Sequence, residues 1–351
     1  MKKKLVSVLI AGLMIVSLAA CGGSSGGNDS SGNNAGGSAS GDTITLVMSN
    51  VTTDAAKDAG VKFAELIYEY SDGTIEVDHF PDNQLGDDKT VVENTQLGEI
   101  DIAVTSTSSI ATSYPDYYLF DTPYLFLNQD EVYDVGFAGE AGVKIMEGVE
   151  SIGLKGVAMW ENGFRNYTNS NIAATTPADV QGMKIRTMEN EIHLAAWTAL
   201  GANPTPMAFS ELFTALQQGT VDGQENPLGI IASNKFFEVQ EYISLTQHVY
   251  TPFSVVVNPD LYDSLTSEQQ EAFDRAMAEA TEFQLEASHR ADEDAISMFE
   301  EAGCTVSILT DAEKAAFQKI VEEADIFSLV KEKMANPDLF DDMLTELEQY
   351  R

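Results

Sequence analysis

Two arginines in this sequence stand where they could do chemistry. The chain holds five: Arg275 and Arg290 fall in a helical stretch, Arg351 is the last residue, and Arg165 and Arg186 lie near the ends of extended segments. Arg165 belongs to the run Trp160-Glu161-Asn162-Gly163-Phe164-Arg165-Asn166-Tyr167-Thr168-Asn169, and Arg186 to Gly182-Met183-Lys184-Ile185-Arg186-Thr187. On a strand Ile185 and Arg186 point to opposite faces, so Arg186 meets either solvent or an anion in a cleft. A guanidinium offers a planar fork that matches a carboxylate through two parallel hydrogen bonds. Two such groups near one another would form a carboxylate clamp. The alternative is that each pairs with one of the 56 acidic residues of the chain.

Other chemistries find little support. Cys21 and Cys304 form no C-x-x-C pair, and His79, His193, His248 and His289 are scattered, so no zinc site, Cys/His catalytic pair or cofactor is expected. Glu161, Asp222 and Glu225 could supply carboxylates to a surface enzyme, but no nucleophile and base accompany them. The formal net charge of −37 argues against nucleic acid, which needs a basic footprint. An anion binder this acidic has to gather its few cations in one cleft.

The elements that must position these groups read as α/β. The order is a strand from Ile44 to Met48, a helix from Asp54 to Tyr70, a strand from Ile75 to Phe80, a helix from Asp87 to Leu97 and a strand from Ile100 to Val104. Leu154 to Thr168 and Tyr242 to Asn258 are extended stretches long enough to run between domains. Between them lie a short strand from Met183 to Met188 and helices from Glu189 to Leu200 and Phe209 to Gln218. Thr266-Ser267-Glu268-Gln269 fits a capping box, and an apolar stripe then continues to about Glu301. That predicts a helix roughly 50 Å long at 1.5 Å per residue, enough to lie across both of the domains that 351 residues imply.

The first forty residues read as an export leader and a tether. Lys2, Lys3 and Lys4 precede an apolar stretch from Leu5 to Leu18, which is too short to span a bilayer. Leu18-Ala19-Ala20-Cys21 resembles the bacterial lipobox, with residues 1–20 removed and Cys21 lipidated. Residues 22–41, rich in Gly, Ser and Asn, form a flexible linker reaching on the order of 25 Å. The expected location is the outer face of the cytoplasmic membrane. Cys304 then has no disulfide partner and is expected in a core.

Several separated motifs resemble one family. Gly201-Ala202-Asn203-Pro204-Thr205-Pro206-Met207-Ala208-Phe209-Ser210-Glu211, Val221-Asp222-Gly223-Gln224-Glu225-Asn226-Pro227, Gly163 to Asn169 and Pro81 to Asp88 are similar to the substrate-binding proteins of tripartite ATP-independent periplasmic (TRAP) transporters, the DctP family. The resemblance implies a two-domain periplasmic-binding-protein-like α/β fold, joined by long hinge strands and a long helix, with the ligand between the domains. Domain I would be 42–162 plus 252–291, and domain II 163–251 plus 292–351. It implies that Arg186 makes the paired contact to a ligand carboxylate, with Arg165 a second cationic contact. Asn226 would donate to the same group and Phe209 pack on the ligand, with Glu225 in the same motif. Asn50, Asp87 and Trp160 complete the expected ligand-binding set. Thr105 to Ser109 has no acid where sialic-acid-binding members carry a glutamate. The expected ligand is a small organic acid: a four-carbon dicarboxylate, a uronate or another sugar acid. The expected partners are the small and large TRAP membrane subunits, with the chain itself a monomer. A binding protein for an ATP-driven transporter or a sensor is the other reading.

Overall fold

A computed structural model describes residues 43–51 and 53–351, which lie in one compact unit. The leader, Cys21 and the linker lie outside the described residues. Ten strands form among the described residues: β1 (Ile44–Ser49), β2 (Ile75–Phe80), β3 (Ile102–Ser106), β4 (Lys155–Asn169), β5 (Lys184–Thr187), β6 (Asn203–Pro206), β7 (Gly223–Pro227), β8 (Tyr242–Leu245), β9 (Tyr250–Val257) and β10 (Thr305–Ile308). The main path runs β2-β1-β3-β9-β4-β7-β5-β6, with β8 on β4 and β10 on β8.

One strand ties this path together. β4 has 15 residues, all buried or partly buried. Its first part pairs antiparallel with β9, setting Trp160 opposite Phe253. Its second part pairs with β7, setting Tyr167 opposite Glu225, and with β8. The register shifts between Trp160 and Gly163, and Gly163 takes a φ of 116° there, which only glycine adopts freely.

The helix Ser267–Glu301 spans 35 residues, opened by the reciprocal capping box of Thr266 and Gln269. Phe273 packs edge-on against Phe63 of the helix Asp54–Tyr70, with ring centroids 5.3 Å apart. Further along, Gln284 brackets the Glu161 peptide, donating to its carbonyl at 2.8 Å and accepting from its N–H at 2.7 Å. Gly303, at a φ of 94°, stops the chain just beyond the helix.

Three local readings change. Tyr242 to Asn258 is not one strand: it breaks at residues 246–249, where Gln247 takes a φ of 45° and the chain passes from β4's far part to its near part. β3 begins at Ile102, two residues later than the sequence implies. Cys304 is half-buried, its thiol donating to the Phe237 and Gln240 carbonyls at 3.4 Å.

Candidate functional site

The four residues of β5 set Arg186 against a cavity of the protein. Ile185 is fully buried on one face, and Arg186, only 2% exposed, emerges on the other. Its guanidinium is held from one side: Nε and Nη2 donate to the Met207 carbonyl at 3.2 and 2.8 Å. Met207 closes the turn into the helix Phe209–Gln217, whose first side chain sits 5.9 Å from the guanidinium carbon, as a cation–π contact. Nη1 is buried and has no hydrogen-bond partner. Burial and the nearby Arg165 pull the group down to about 10, so it stays cationic at neutral pH.

Arg165 has the opposite fate. From β4 it grips Glu225 of β7: Nε donates to Oε2 at 2.5 Å and Nη2 to Oε1 at 2.9 Å. Nη2 also reaches Asn226 Oδ1 at 3.0 Å, while Nη1 finds only Thr251 Oγ1 at 3.5 Å. Glu225 carries further partners, with His248 Nε2 at 3.1 Å and His193 Nδ1 at 3.6 Å. Burial pushes the Glu225 carboxyl up, but Arg165, His193 and His248 outweigh it and hold the group well below the usual carboxylate range. His193 continues the chain to Asp121 at 3.0 Å, and Asp121 accepts from Ser108 and from Asn190 Nδ2. Burial pulls His193 down, yet Asp121 and Glu225 raise it on balance. Of the two sequence alternatives, Arg165 follows the internal pairing, and Arg186 keeps a free donor.

The cavity measures about 370 Å³, at the lower end of small-molecule sites. Arg165, Arg186, Asn226, Phe209 and Asp87 all border it. Asn226 lies on β7; its Nδ2 donates to Gln224 Oε1, which leaves one amide proton spare. Three expected residues do not border it. Glu225 is fully buried behind Arg165. Trp160 is enclosed in the core, its indole donating to Thr281 Oγ1 at 2.8 Å. Asn50 is also buried, donating to the Ala56 carbonyl at 2.6 Å. Among the described residues no cluster of His, Cys, Asp and Glu is disposed to hold a metal ion.

The description "bacterial extracellular solute-binding protein, family 7", the DctP family, matches residues 48–326. The chain belongs to this family. It is 37% identical over 265 residues to the 2,3-diketo-L-gulonate-binding periplasmic protein YiaO of Escherichia coli, covering 76% of this chain and 80% of that one. It is 34% identical over 287 residues to the C4-dicarboxylate-binding periplasmic protein DctP of Rhodobacter capsulatus, covering 81% and 86%. The crystal structure of the sugar acid binding protein of Advenella mimigardefordensis, in complex with galactonate, superposes with a TM-score of 0.84 at 34% identity, covering 88% of this chain and 99% of that one. The protein is thus an extracytoplasmic TRAP solute-binding protein, not an enzyme, with the periplasmic-binding-protein-like α/β fold.

Sequence reasoning missed several residues in and behind this cavity of the DctP-family chain. Asp87 is the N-cap of the helix Asp88–Gln96, its carboxylate accepting from Thr90 N at 3.0 Å. The next residue, Asp88, puts the better-buried acid on the cavity, with Oδ2 3.4 Å from Ser106 N. Burial pushes Asp88 up to about 6, against Ser109, Ser106 and Arg186, which favour its charged form. Asn162 and Ser106 also border the cavity, and Asn162 Oδ1 and Ser106 Oγ are buried without a partner. His193 and His248 carried no signal in sequence, because their partner Glu225 is near only in space.

Proposed function

We propose that this protein captures a small organic acid in the cavity, its carboxylate on Arg186, and delivers it to the small and large TRAP membrane subunits. One observation carries the reading: the Arg186 guanidinium is buried at a cavity wall, braced through Nε and Nη2, with Nη1 unpartnered. A buried cation with a spare donor calls for an anion. The relatives named for diketogulonate, C4-dicarboxylate and galactonate binding support the same class of ligand. Asn226 would donate its spare proton to the same carboxylate, Arg165 would add Nη1, and Phe209 would pack beside it. Two domains, 42–162 plus 252–291 and 163–251 plus 292–351, would close over the ligand through β4, β9 and the long helix. A lipid on Cys21 would hold the protein, as a monomer, at the outer face of the cytoplasmic membrane.

Isothermal titration of the wild type and of Arg186→Ala with sugar acids and dicarboxylates tests the reading. The variant loses affinity by about 30-fold or more, the equivalent of roughly 2–5 kcal/mol for one partner of a desolvated charge pair. Wild-type affinity in a folded Arg186→Ala variant overturns it.

A further inference from the structure

Charge in the cavity interior is already balanced. Arg165 and Arg186 supply two positive charges, and Glu225 behind the wall cancels the first at 2.5 Å. Asp88, on the same cavity, opposes the second. The remaining charged lining residues, Asp87, Lys89 and Glu189, are exposed, and water screens them. A ligand bringing one carboxylate to Arg186 therefore leaves no buried lining cation for a second one, only the exposed Lys89. A second carboxylate would instead meet the half-buried Asp88 carboxylate on the cavity wall, and like charges repel there.

A hydroxyl fits that place. It donates to an ionised carboxylate in a charge-assisted hydrogen bond. The neighbouring buried Ser106 Oγ and Asn162 Oδ1 have no protein partners and can take further hydroxyls. We infer that Asp88 accepts a ligand hydroxyl and makes the site selective for hydroxylated monocarboxylates, the sugar acids, over dicarboxylates. The inference rests on the proposed seat of the carboxylate on Arg186. Protonation of Asp88 removes the repulsion, and its carboxyl, raised by burial, titrates near 6 beside Arg186, Asp87, Ser106 and Ser109. Discrimination against dicarboxylates is then strong at pH 7.5 and weaker at pH 5.

The test is titration of the intact protein with galactonate, gluconate and glucuronate against succinate and fumarate, at both pH values. The best hydroxylated monocarboxylate binds the wild type at least tenfold more tightly than the best dicarboxylate at pH 7.5. In Asp88→Asn, whose melting point checks the fold, that ratio at pH 7.5 shrinks about tenfold and changes less with pH than in the wild type. A wild type that takes succinate or fumarate as tightly as any sugar acid overturns the inference, as does an unchanged ratio in Asp88→Asn. If no acid of either kind binds, the organic-acid reading fails first and takes this inference with it.

Discussion

At the scale of single residues, the two site arginines show that a count of cations says little about a binding cleft. Arg165 spends its charge on Glu225, and Arg186 keeps a donor free. Glu225→Gln leaves Arg165 a buried cation with no counter-charge, a change that costs about 3–5 kcal/mol. Urea denaturation at pH 7 measures it, and an unchanged midpoint would mean that the pair is not structural. The pH dependence has a definite sign. Glu225 is held below its ordinary 4.5, so its contribution is complete above pH 4.5 and is lost as pH falls through the lower folded value. Stability curves of the wild type and Glu225→Gln converge only in acid. Alternation along β5 made Arg186 legible in sequence. The fate of Arg165 was not, because its partner lies 60 residues away and arrives only through the β4–β7 register. Asp88 was hidden by its neighbour: the N-cap role took Asp87, and one step along the helix turned the next carboxylate to the cavity.

At the scale of elements, the crossing of β4, β9 and the long helix buries a second set of acids away from the cavity at Arg186. Glu161, at the β4 register shift, accepts from the hydroxyls of Tyr133 and Tyr250, and Tyr133 also meets His289 Nε2 at 2.6 Å. Asp292, from the same helix as His289, is pushed up to about 7 by burial and by Glu161, against its contact with Gly229. The folded protein therefore holds the Asp292 proton more tightly than the unfolded chain, and stability falls as pH rises from 3.8 to about 7. Asp292→Asn removes that loss. It melts like the wild type at pH 4 and gains about 1–3 kcal/mol at pH 8. An equal gain at both pH values excludes titration as the cause. The helix itself was plain in sequence, since its capping box and stripe are local signals. The break between β8 and β9 was not. Gln247 bends the chain without glycine or proline, held by its N–H to Asn166 Oδ1 at 3.2 Å and its side chain to Lys314.

At the scale of the whole molecule, the order of elements and the family motifs were legible because each is a local pattern or a fixed spacing. Cavity shape was not, since it depends on which of several neighbouring side chains the packing turns inward. Trp160 and Asn50 went to the interior for that reason. The proposed lipid anchor makes its own prediction. In cells expressing the full chain, the protein sediments with membranes and Cys21→Ser moves it to the soluble fraction; a variant that still sediments places the attachment elsewhere. β4 also limits how such a molecule can be taken apart or recombined. Its 15 residues complete one set of strands with their first half and another with their second. A cut at its middle would strip each fragment of an edge partner and expose unpaired backbone that invites aggregation. A strand shared in this way favours changing specificity through side chains around a fixed frame over exchanging halves of the chain.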